Sequence, residues 1–362
     1  MKIPFLDLSR MEVRLRDRLK DRFSEVLEAG IFSGGKEVDY FEKSVSKYLN
    51  SPFSIACANG TDALELALRA LEIGPGDEVI VPAMTWVSTA EAVVFVGAKP
   101  IFWDTNENGL LKEDWEKAVT AKTKAVIPVH LYGKMVDMKP LMEKAKNLQL
   151  FVIEDAAQAF GAFQNGKAAG TWGNVGCLSF YPTKNLGALG EAGMCLTTDP
   201  DVAQRIRLFG NHGQPLRDQH ELVGRNSRID TLQAAFLNVM LENFEGNQAK
   251  RKSIAKRYLE AFAGIAELTL PESTLEEDHN AHLFVVQTDR RDKLRTFLGN
   301  HGIGTAIHYP RIIPDLIPFA SEGSFDNARK LSLEGLSIPL NPFLKAEEIE
   351  YIIQKIRTFF KA

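Results

Sequence analysis

The sequence predicts an α/β fold in which a mainly parallel sheet is covered by helices on both faces. Between residues 50 and 200, short apolar runs alternate with stretches whose apolar residues have helical spacing. The runs are apolar throughout, as is typical of parallel strands buried on both faces. A smaller α/β unit follows a helix-rich region that begins near residue 200. We therefore predict a large domain over residues 1–245 and a small domain over residues 246–362.

Short apolar runs bounded by polar or glycine-containing segments are typical of buried strands. They predict strands at 53–58, 78–82, 99–103, 124–129 and 150–155, with two more in "CLSFYP" (177–182) and "GMCLTT" (193–198). Helical spacing predicts helices near 64–71, 90–96, 115–119 and 138–145, and a long helical connector over 228–262. The smaller unit is predicted to contain a strand at 282–288, a helix at 291–300 and an amphipathic final helix at 346–360.

Composition argues against several classes of protein. The 43 basic and 47 acidic residues give a net charge of −4, whereas nucleic-acid-binding domains usually carry a concentrated basic face. No apolar run approaches the roughly 20 residues needed to cross a bilayer, and the charged amino-terminal stretch is unlike a signal peptide. We expect a cytoplasmic enzyme or binding protein without a nucleic-acid or membrane partner. The three cysteines, Cys57, Cys177 and Cys195, predict neither a disulfide framework nor a CxxC site.

Two further patterns do not predict the sites that they resemble. "GAFQNGKA" (161–168) has the glycine and lysine spacing of a phosphate-binding loop but lacks the Ser or Thr that would hold magnesium. Asn165-Gly166 within it predicts a type I′ hairpin. His279 and His282 have helical spacing, but no cysteine or third ligand accompanies them in the sequence, and no metal site is predicted.

Two strand-to-helix turns suggest a ligand site. In "ANGTDAL" (58–64), the chain turns through Asn59 and Gly60 into a helix opened by Thr61. Free N–H groups at a helix N-terminus suit an anion such as phosphate, and Thr61 is equally suited to be a simple N-cap. In "PAMTWVSTAEAV" (82–93), Trp86 follows the next strand. Trp86 can pack in the core or offer its face to a planar ring.

Two further segments bring an acid and an amine. In "FVIEDAAQAFGA" (151–162), Asp155 ends an apolar strand. The ends of such strands are where ligands bind in open α/β sheets, and the alternative role for Asp155 is that of a helix N-cap. In "SFYPTKNLG" (179–187), Lys184 is either a surface lysine or an amine that forms a Schiff base with a carbonyl. A phosphate cradle, a stacking ring, an acid and an amine together match pyridoxal 5′-phosphate, whose ring nitrogen pairs with an Asp.

The chain resembles the DegT-type nucleotide-sugar aminotransferases over essentially its full length. The motifs that carry the resemblance are "ANGTDAL", "GPGDEVIVP", "IEDAAQAFGA", "SFYPTKNLGALGEAG", "GRNSRIDTLQAA" and "IHYP". The resemblance implies the fold type I architecture of aspartate aminotransferase, with a mainly parallel sheet of the seven-stranded type and a smaller C-terminal α/β domain. It also implies that Lys184 forms the Schiff base with the cofactor and is the catalytic residue.

The resemblance assigns the other cofactor contacts. It places Asp155 at the pyridine nitrogen, Gln158 at the ring hydroxyl and Trp86 on the ring. The phosphate would be held by Gly60, Thr61 and Ser179 of one subunit and by Asn226 of its neighbour, which implies a homodimer with shared active sites. His308 and Tyr309 would line the sugar pocket, with Tyr181 and Arg228 as further sugar contacts. His308 can also be an ordinary structural histidine.

The expected reaction moves an amino group from L-glutamate to a nucleoside-diphosphate-linked keto sugar, at C3 of a dTDP-3-keto-6-deoxyhexose. The product would serve amino-sugar synthesis for surface glycans such as the lipopolysaccharide O-antigen. Alternatives are amination at C4, as in perosamine formation, and amination of a UDP-3-keto-hexuronate. A related dehydratase would have histidine in place of Lys184, and a regulatory protein on the same fold would need no intact cofactor site.

Overall fold

A seven-stranded sheet forms the centre of the computed structural model, which describes residues 1–272 and 274–361. The strands are β1 (Phe53–Cys57), β2 (Glu78–Pro82), β3 (Lys99–Trp103), β4 (Thr123–Val126), β5 (Phe151–Asp155), β6 (Phe163–Gln164), β7 (Lys167–Ala168), β8 (Val175–Ser179), β9 (Gly193–Thr197), β10 (Phe284–Gln287) and β11 (Gly335–Ile338). The central sheet has the order β1-β9-β8-β5-β4-β2-β3, and all seven of its strands were predicted from the sequence.

The direction of the strands agrees with the predicted, mainly parallel sheet. Strands β3, β2, β4, β5 and β8 are parallel to one another, whereas β9 pairs antiparallel with both β8 and β1. Carboxyl ends of parallel strands meet at one edge of a sheet. The ends of β5 and β8 therefore bring the segments after Asp155 and Ser179 side by side.

Helices cover the sheet and build the smaller unit. They are α1 (Val13–Ala29), α2 (Lys36–Leu49), α3 (Gly60–Ala70), α4 (Ser88–Phe95), α5 (Met138–Asn147), α6 (Pro200–Gly210), α7 (Thr231–Glu242), α8 (Phe244–Phe262), α9 (Arg291–Asn300), α10 (Asp326–Glu334) and α11 (Ala346–Lys361). The predicted helix at 115–119 is a short 3₁₀ helix, Trp115–Ala118. None of the helices in the described part of the chain combines the length and the apolar character that a membrane span requires.

The predicted connector over 228–262 is two helices rather than one. The chain leaves helical geometry at Asn243, between α7 and α8, where φ is −100° and ψ is 2°. The Asn243 side-chain amide donates a hydrogen bond to the Val239 carbonyl at 3.0 Å. Local side-chain bonds of this kind compete with the helical ladder, which is the physical reason for the break.

The two ends of α8 pack in two different hydrophobic cores. Phe244, at the start of this helix, packs in the core around the sheet. Tyr258 and Phe262, near its end, pack in a second core with Phe284 of β10 and Ile352 of α11. The predicted division after residue 245 falls within α8, and it stays a prediction.

The hairpin predicted at Asn165-Gly166 is confirmed. These residues join β6 to β7 and have φ values of 53° and 73°. Positive φ at both central positions is the requirement of a type I′ turn, which Asn and Gly meet at low steric cost.

The buried carboxylate of Glu154 ties β5 to two loops. Its oxygens accept hydrogen bonds from the N–H groups of Gly170, Trp172 and Gly173 at 2.6–2.8 Å. His130 donates through Nε2 at 2.9 Å, because its Nδ1 accepts from the Val136 N–H. Glu154 is completely buried, so these partners replace the water that the charge loses.

We predict that Glu154→Gln lowers the free energy of unfolding by about 3 kcal/mol, because an amide replaces a buried charge and turns an N–H toward other donors. Urea unfolding of the cofactor-free protein at one fixed protein concentration measures the change. Glu322→Gln, at an exposed position, is the matched control and should leave the midpoint unchanged. Equal midpoints for both variants would contradict the structural role of Glu154.

Candidate active site

Lys184 and Asp155 meet at the carboxyl edge of the sheet. Asp155 is the last residue of β5, and Lys184 lies in the loop that leaves β8, where its N–H donates to the Tyr181 carbonyl at 2.9 Å. Burial lowers the pKa of the Lys184 amine to about 8, and the charge of Asp155 acts in the opposite direction. Lys184 and Asp155, on which the predicted site depends, therefore lie close enough for their charges to interact.

Asp155 does not cap a helix. Its Oδ2 accepts a hydrogen bond from the Thr89 hydroxyl at 2.8 Å, and its Oδ1 accepts from the Ala157 N–H at 3.2 Å. Burial raises the pKa of Asp155, and these two hydrogen bonds and the charge of Lys184 oppose the rise. The carboxylate therefore lies where a further cation would stabilise its charged form.

Thr89 is a contact that the sequence reasoning missed. It is fully buried on α4, and its hydroxyl lies 2.9 Å from that of Thr85. The available signal was its position within "PAMTWVSTAEAV", a stretch already assigned to the site, three residues after Trp86.

The N-terminus of α3 lies where the sequence predicts an anion-binding site. Asn59, rather than Thr61, caps the helix, because its Oδ1 accepts from the Asp62 N–H at 2.8 Å. The Thr61 hydroxyl donates instead to Ser88 at 2.7 Å. Gly60 lies against Ser179, since a Cβ at this position would be 2.8 Å from the Ser179 Cβ. The close approach leaves helix N–H groups and a hydroxyl together, as an anion requires.

Trp86 is not a core residue. The side chain is 56% exposed, although its ring centroid lies 5.4 Å from that of Tyr309. A large aromatic surface therefore remains open beside Tyr309, consistent with a role in stacking.

Gln158 is held by two tyrosines. Its Oε1 accepts from the Tyr132 N–H at 2.6 Å, and its amide donates to the Tyr309 hydroxyl at 3.1 Å. Tyr132 was missed, because it contributes through its backbone at a φ of 60°. Nothing in the residue type signals this conformation, which is uncommon for residues other than Gly, Asn and Asp.

His308 is both structurally anchored and close to Lys184. Its Nδ1 lies 2.8 Å from the Ser337 hydroxyl, and its carbonyl accepts from the Tyr132 hydroxyl. Burial, assisted by the charge of Lys184, lowers the pKa of His308 to about 4. The imidazole is therefore neutral near pH 7, and it adds no second cation to the site.

Three residues predicted for the site, Tyr181, Asn226 and Arg228, lie apart from Lys184 and Asp155 or at the edge of the site. Tyr181 is exposed and its N–H donates to the Ser179 hydroxyl at 3.3 Å. Arg228 donates to Asn226 at 3.0 Å, and both are exposed. Among the hydrogen bonds of the described residues, none joins Asn226 or Arg228 to Lys184, Asp155 or Gln158 of the same chain.

The residues fit pyridoxal 5′-phosphate. An amine with a pKa near 8 suits attachment to an aldehyde, and the Asp155 carboxylate suits a protonated pyridine nitrogen. The start of α3 suits the phosphate, and the exposed face of Trp86 suits the ring. Each part of the cofactor has a matching group at the same edge of the sheet.

Comparison with known proteins agrees with this chemistry. Residues 14–357 match the model of the DegT/DnrJ/EryC1/StrS aminotransferase family. A UDP-N-acetyl-3-dehydro-alpha-D-glucosamine 3-aminotransferase of Acidithiobacillus ferrooxidans is 40% identical, over 98% of this chain and 97% of that protein. A protein of Geobacillus stearothermophilus described as a pleiotropic regulatory protein is 39% identical, over 100% and 99% of the two chains.

A solved structure gives the same result. The crystal structure of DesV from S. venezuelae, in complex with a ketimine intermediate, has a TM-score of 0.96 and 38% identity. The match covers 100% of this chain and 99% of DesV. The predicted fold type I architecture is confirmed, and the chain belongs to the DegT/DnrJ/EryC1/StrS family of pyridoxal 5′-phosphate-dependent aminotransferases.

Proposed function

We propose that this aminotransferase moves an amino group from L-glutamate to C3 of a dTDP-linked 3-keto-6-deoxyhexose. The observation that carries the assignment to amino transfer is the Lys184 amine, with a pKa near 8, beside the buried carboxylate of Asp155. Histidine at position 184 would favour the dehydratase alternative, and the chain has lysine there.

The names of the relatives support C3 as the position of amination. A protein of Streptomyces venezuelae, 38% identical, is a dTDP-3-amino-3,4,6-trideoxy-alpha-D-glucose transaminase. One of Aneurinibacillus thermoaerophilus, also 38% identical, is a dTDP-3-amino-3,6-dideoxy-alpha-D-galactopyranose transaminase. A UDP-2-acetamido-2-deoxy-3-oxo-D-glucuronate aminotransferase of Pseudomonas aeruginosa is 37% identical and supports the UDP-hexuronate alternative. These names share position 3 and differ in the nucleotide.

In the proposed mechanism, the bound cofactor supplies a protonated ring that withdraws electrons from the carbon bearing the transferred amino group. Asp155 would keep the proton on the ring nitrogen, and Thr89 holds the Asp155 carboxylate in place. The Lys184 amine would hold the cofactor until the amino donor binds, and the freed amine would then take the proton from the donor's α-carbon. In the second half the same amine would deliver a proton to C3 of the sugar, so that it takes up and releases protons in equal number over one cycle.

Neutral side chains would orient the keto sugar. Burial and the charge of Asp155 raise the pKa of Tyr309, so its hydroxyl stays protonated and can donate to a sugar oxygen. His308 is also neutral near pH 7. We assign both residues to the sugar pocket, with Tyr181 at its exposed rim.

We further propose a homodimer in which Asn226 and Arg228 reach the neighbouring active site. A group of apolar side chains remains exposed on α1, α2 and the chain between them, namely Phe23, Leu27, Ile31, Phe32 and Tyr40. Exposed apolar groups of this kind commonly mark an interface. A cytoplasmic location is part of the same proposal.

The substrate is tested by incubating the purified protein with L-glutamate and matched pairs of 3-keto and 4-keto sugars linked to dTDP or UDP. We expect amination of the dTDP-linked 3-keto-6-deoxyhexose, with nitrogen at C3 by NMR. Amination confined to a 4-keto sugar would overturn the assignment of position. Bleaching of the cofactor's visible absorption by glutamate, without any sugar product, would leave the aminotransferase and contradict only the proposed acceptors.

Lys184→Ala is the matched inactive control in this assay. Loss of the amine should lower turnover by about a thousandfold or more, since one group is both the point of attachment and the acid–base catalyst. Borohydride treatment and peptide mapping should link the cofactor to residue 184 in the wild-type protein but not in Lys184→Ala. Lys167→Ala, an exposed lysine stacked on Trp172, should change neither result.

Thr89→Val should move the low-pH limb of kcat/KM upward by about one pH unit. The Thr89 hydroxyl lowers the pKa of Asp155, so its removal raises that pKa and the carboxylate becomes protonated at a higher pH. Thr85→Val, one hydroxyl further from Asp155, is the control and should shift the profile less. An unchanged profile for Thr89→Val would exclude this role of the hydroxyl.

Shared sites predict complementation between two defective variants. Asn226→Ala should lower activity about tenfold or more at limiting cofactor, because a hydrogen bond to phosphate is lost. After subunit exchange with Lys184→Ala, about a quarter of the sites should contain both native residues, and activity should rise to that fraction of wild type. Lys184→Ala mixed with Asp155→Asn should give no recovery, because both residues belong to one chain. No gain in the first mixture would contradict the sharing of Asn226.

A further inference from the structure

A buried segment that precedes β10 contacts the loop after β8 that contains Lys184, which we call the lysine loop. Residues 279–283, "HNAHL", are all buried, and Ala281 has a φ of 50°. We call these five residues the junction segment. The backbone N–H of Asn280 donates to the Gly133 carbonyl at 2.9 Å. Its side-chain amide donates to the carbonyls of Gln158 and Phe160 at 2.9 and 3.0 Å.

The junction segment also contacts the residue that follows Lys184. The Asn185 amide nitrogen donates to the Asn280 carbonyl at 2.9 Å and to Gln248 Oε1 at 3.1 Å. Two acceptors therefore fix the orientation of the Asn185 amide. Its oxygen faces His282, and the distance from Asn185 Oδ1 to His282 Nδ1 is 3.0 Å.

These contacts determine the proton on His282. An amide oxygen only accepts hydrogen bonds, so Nδ1 of His282 must carry the hydrogen and donate it. Burial and the nearby positive charges of Lys184 and Arg251 lower the pKa of His282 well below its usual range. The ring is neutral, and it adds no cation beside the Lys184 amine.

We propose that His282 is a positioning residue for Lys184, acting through its Nδ1 hydrogen bond to the side chain of Asn185. The bond anchors the lysine loop to the junction segment at the position next to Lys184. Because the Asn280 side chain in the same segment holds the backbone of Gln158, one segment sets the relative placement of the amine and the ring-binding residues. The inference rests on the proposed role of Lys184.

The experiment measures the reactivity of the Lys184 amine in the full-length, cofactor-free protein. Brief labelling with acetic anhydride between pH 6 and pH 10, followed by mass spectrometry, gives the pH at which Lys184 is half reactive. Lys122, an exposed lysine, is the internal reference. In the wild-type protein the half-point should lie near pH 8, since burial lowers the Lys184 pKa to about 8.

Two substitutions separate the ring nitrogens of His282. His282→Asn keeps a donor near the position of Nδ1, whereas His282→Gln keeps a polar group near the position of Nε2 and loses the Nδ1 donor. We expect the wild-type half-point in His282→Asn and a rise of about one pH unit or more in His282→Gln, because a released amine regains solvent. His279→Asn is the matched control, because His279 bonds only locally to the Ala281 N–H among the described contacts and should leave the half-point unchanged.

Asn185→Ala tests the same bond from its other side and serves if a His282 variant does not fold. It should raise the half-point as His282→Gln does, and the double variant should add no further rise. An unchanged half-point in His282→Gln or Asn185→Ala, or an equal shift in His282→Asn and His282→Gln, would overturn the proposal. Failure of the borohydride mapping at Lys184 would instead contradict the proposed function and leave this measurement interpretable.

Discussion

Burial of an amine and a carboxylate at one sheet edge is the constraint on which the rest of the site depends. Burial favours the neutral form of both groups, and their mutual attraction favours the charged forms. The balance leaves the pKa of Lys184 near 8 and that of Asp155 above its ordinary value. A lysine with a pKa near 8 is present in both its protonated and its neutral form near pH 7–8, which suits repeated proton transfer. A cationic ligand would stabilise the charged form of the Asp155 carboxylate in this environment.

Much of this arrangement was predictable because the chemistry lies at the ends of apolar runs. Asp155 ends a strand whose boundaries the hydrophobic pattern gives to within one residue, whereas β8 ends at Ser179, three residues before the end of the predicted run 177–182. The topology of a parallel sheet then places both residues at one edge. The resemblance to a known family added the roles of Gln158 and His308, which the residue pattern alone does not assign.

Other features depend on tertiary structure or on backbone conformation. Asn59 and Thr61 are both good N-caps, and only the geometry shows that Asn59 has this role. The exposure of Trp86 and the left-handed conformation of Tyr132 follow from how distant segments pack. The break at Asn243 also lies beyond periodicity, because a single side-chain hydrogen bond interrupts an otherwise helical pattern.

The neighbouring carboxylates of Glu154 and Asp155 have different partners because successive side chains of a strand point to opposite faces of the sheet. Glu154 is saturated by three backbone N–H groups and His130, whereas Asp155 faces Thr89 and Lys184. A slip of β5 by one residue would move one acid into the position of the other and would bring an apolar residue, Ile153 or Ala156, into the position left behind, so that both sets of hydrogen bonds would be lost. Insertions or deletions within this strand should therefore be far less tolerated than the same changes in the surface hairpin at residues 165–166.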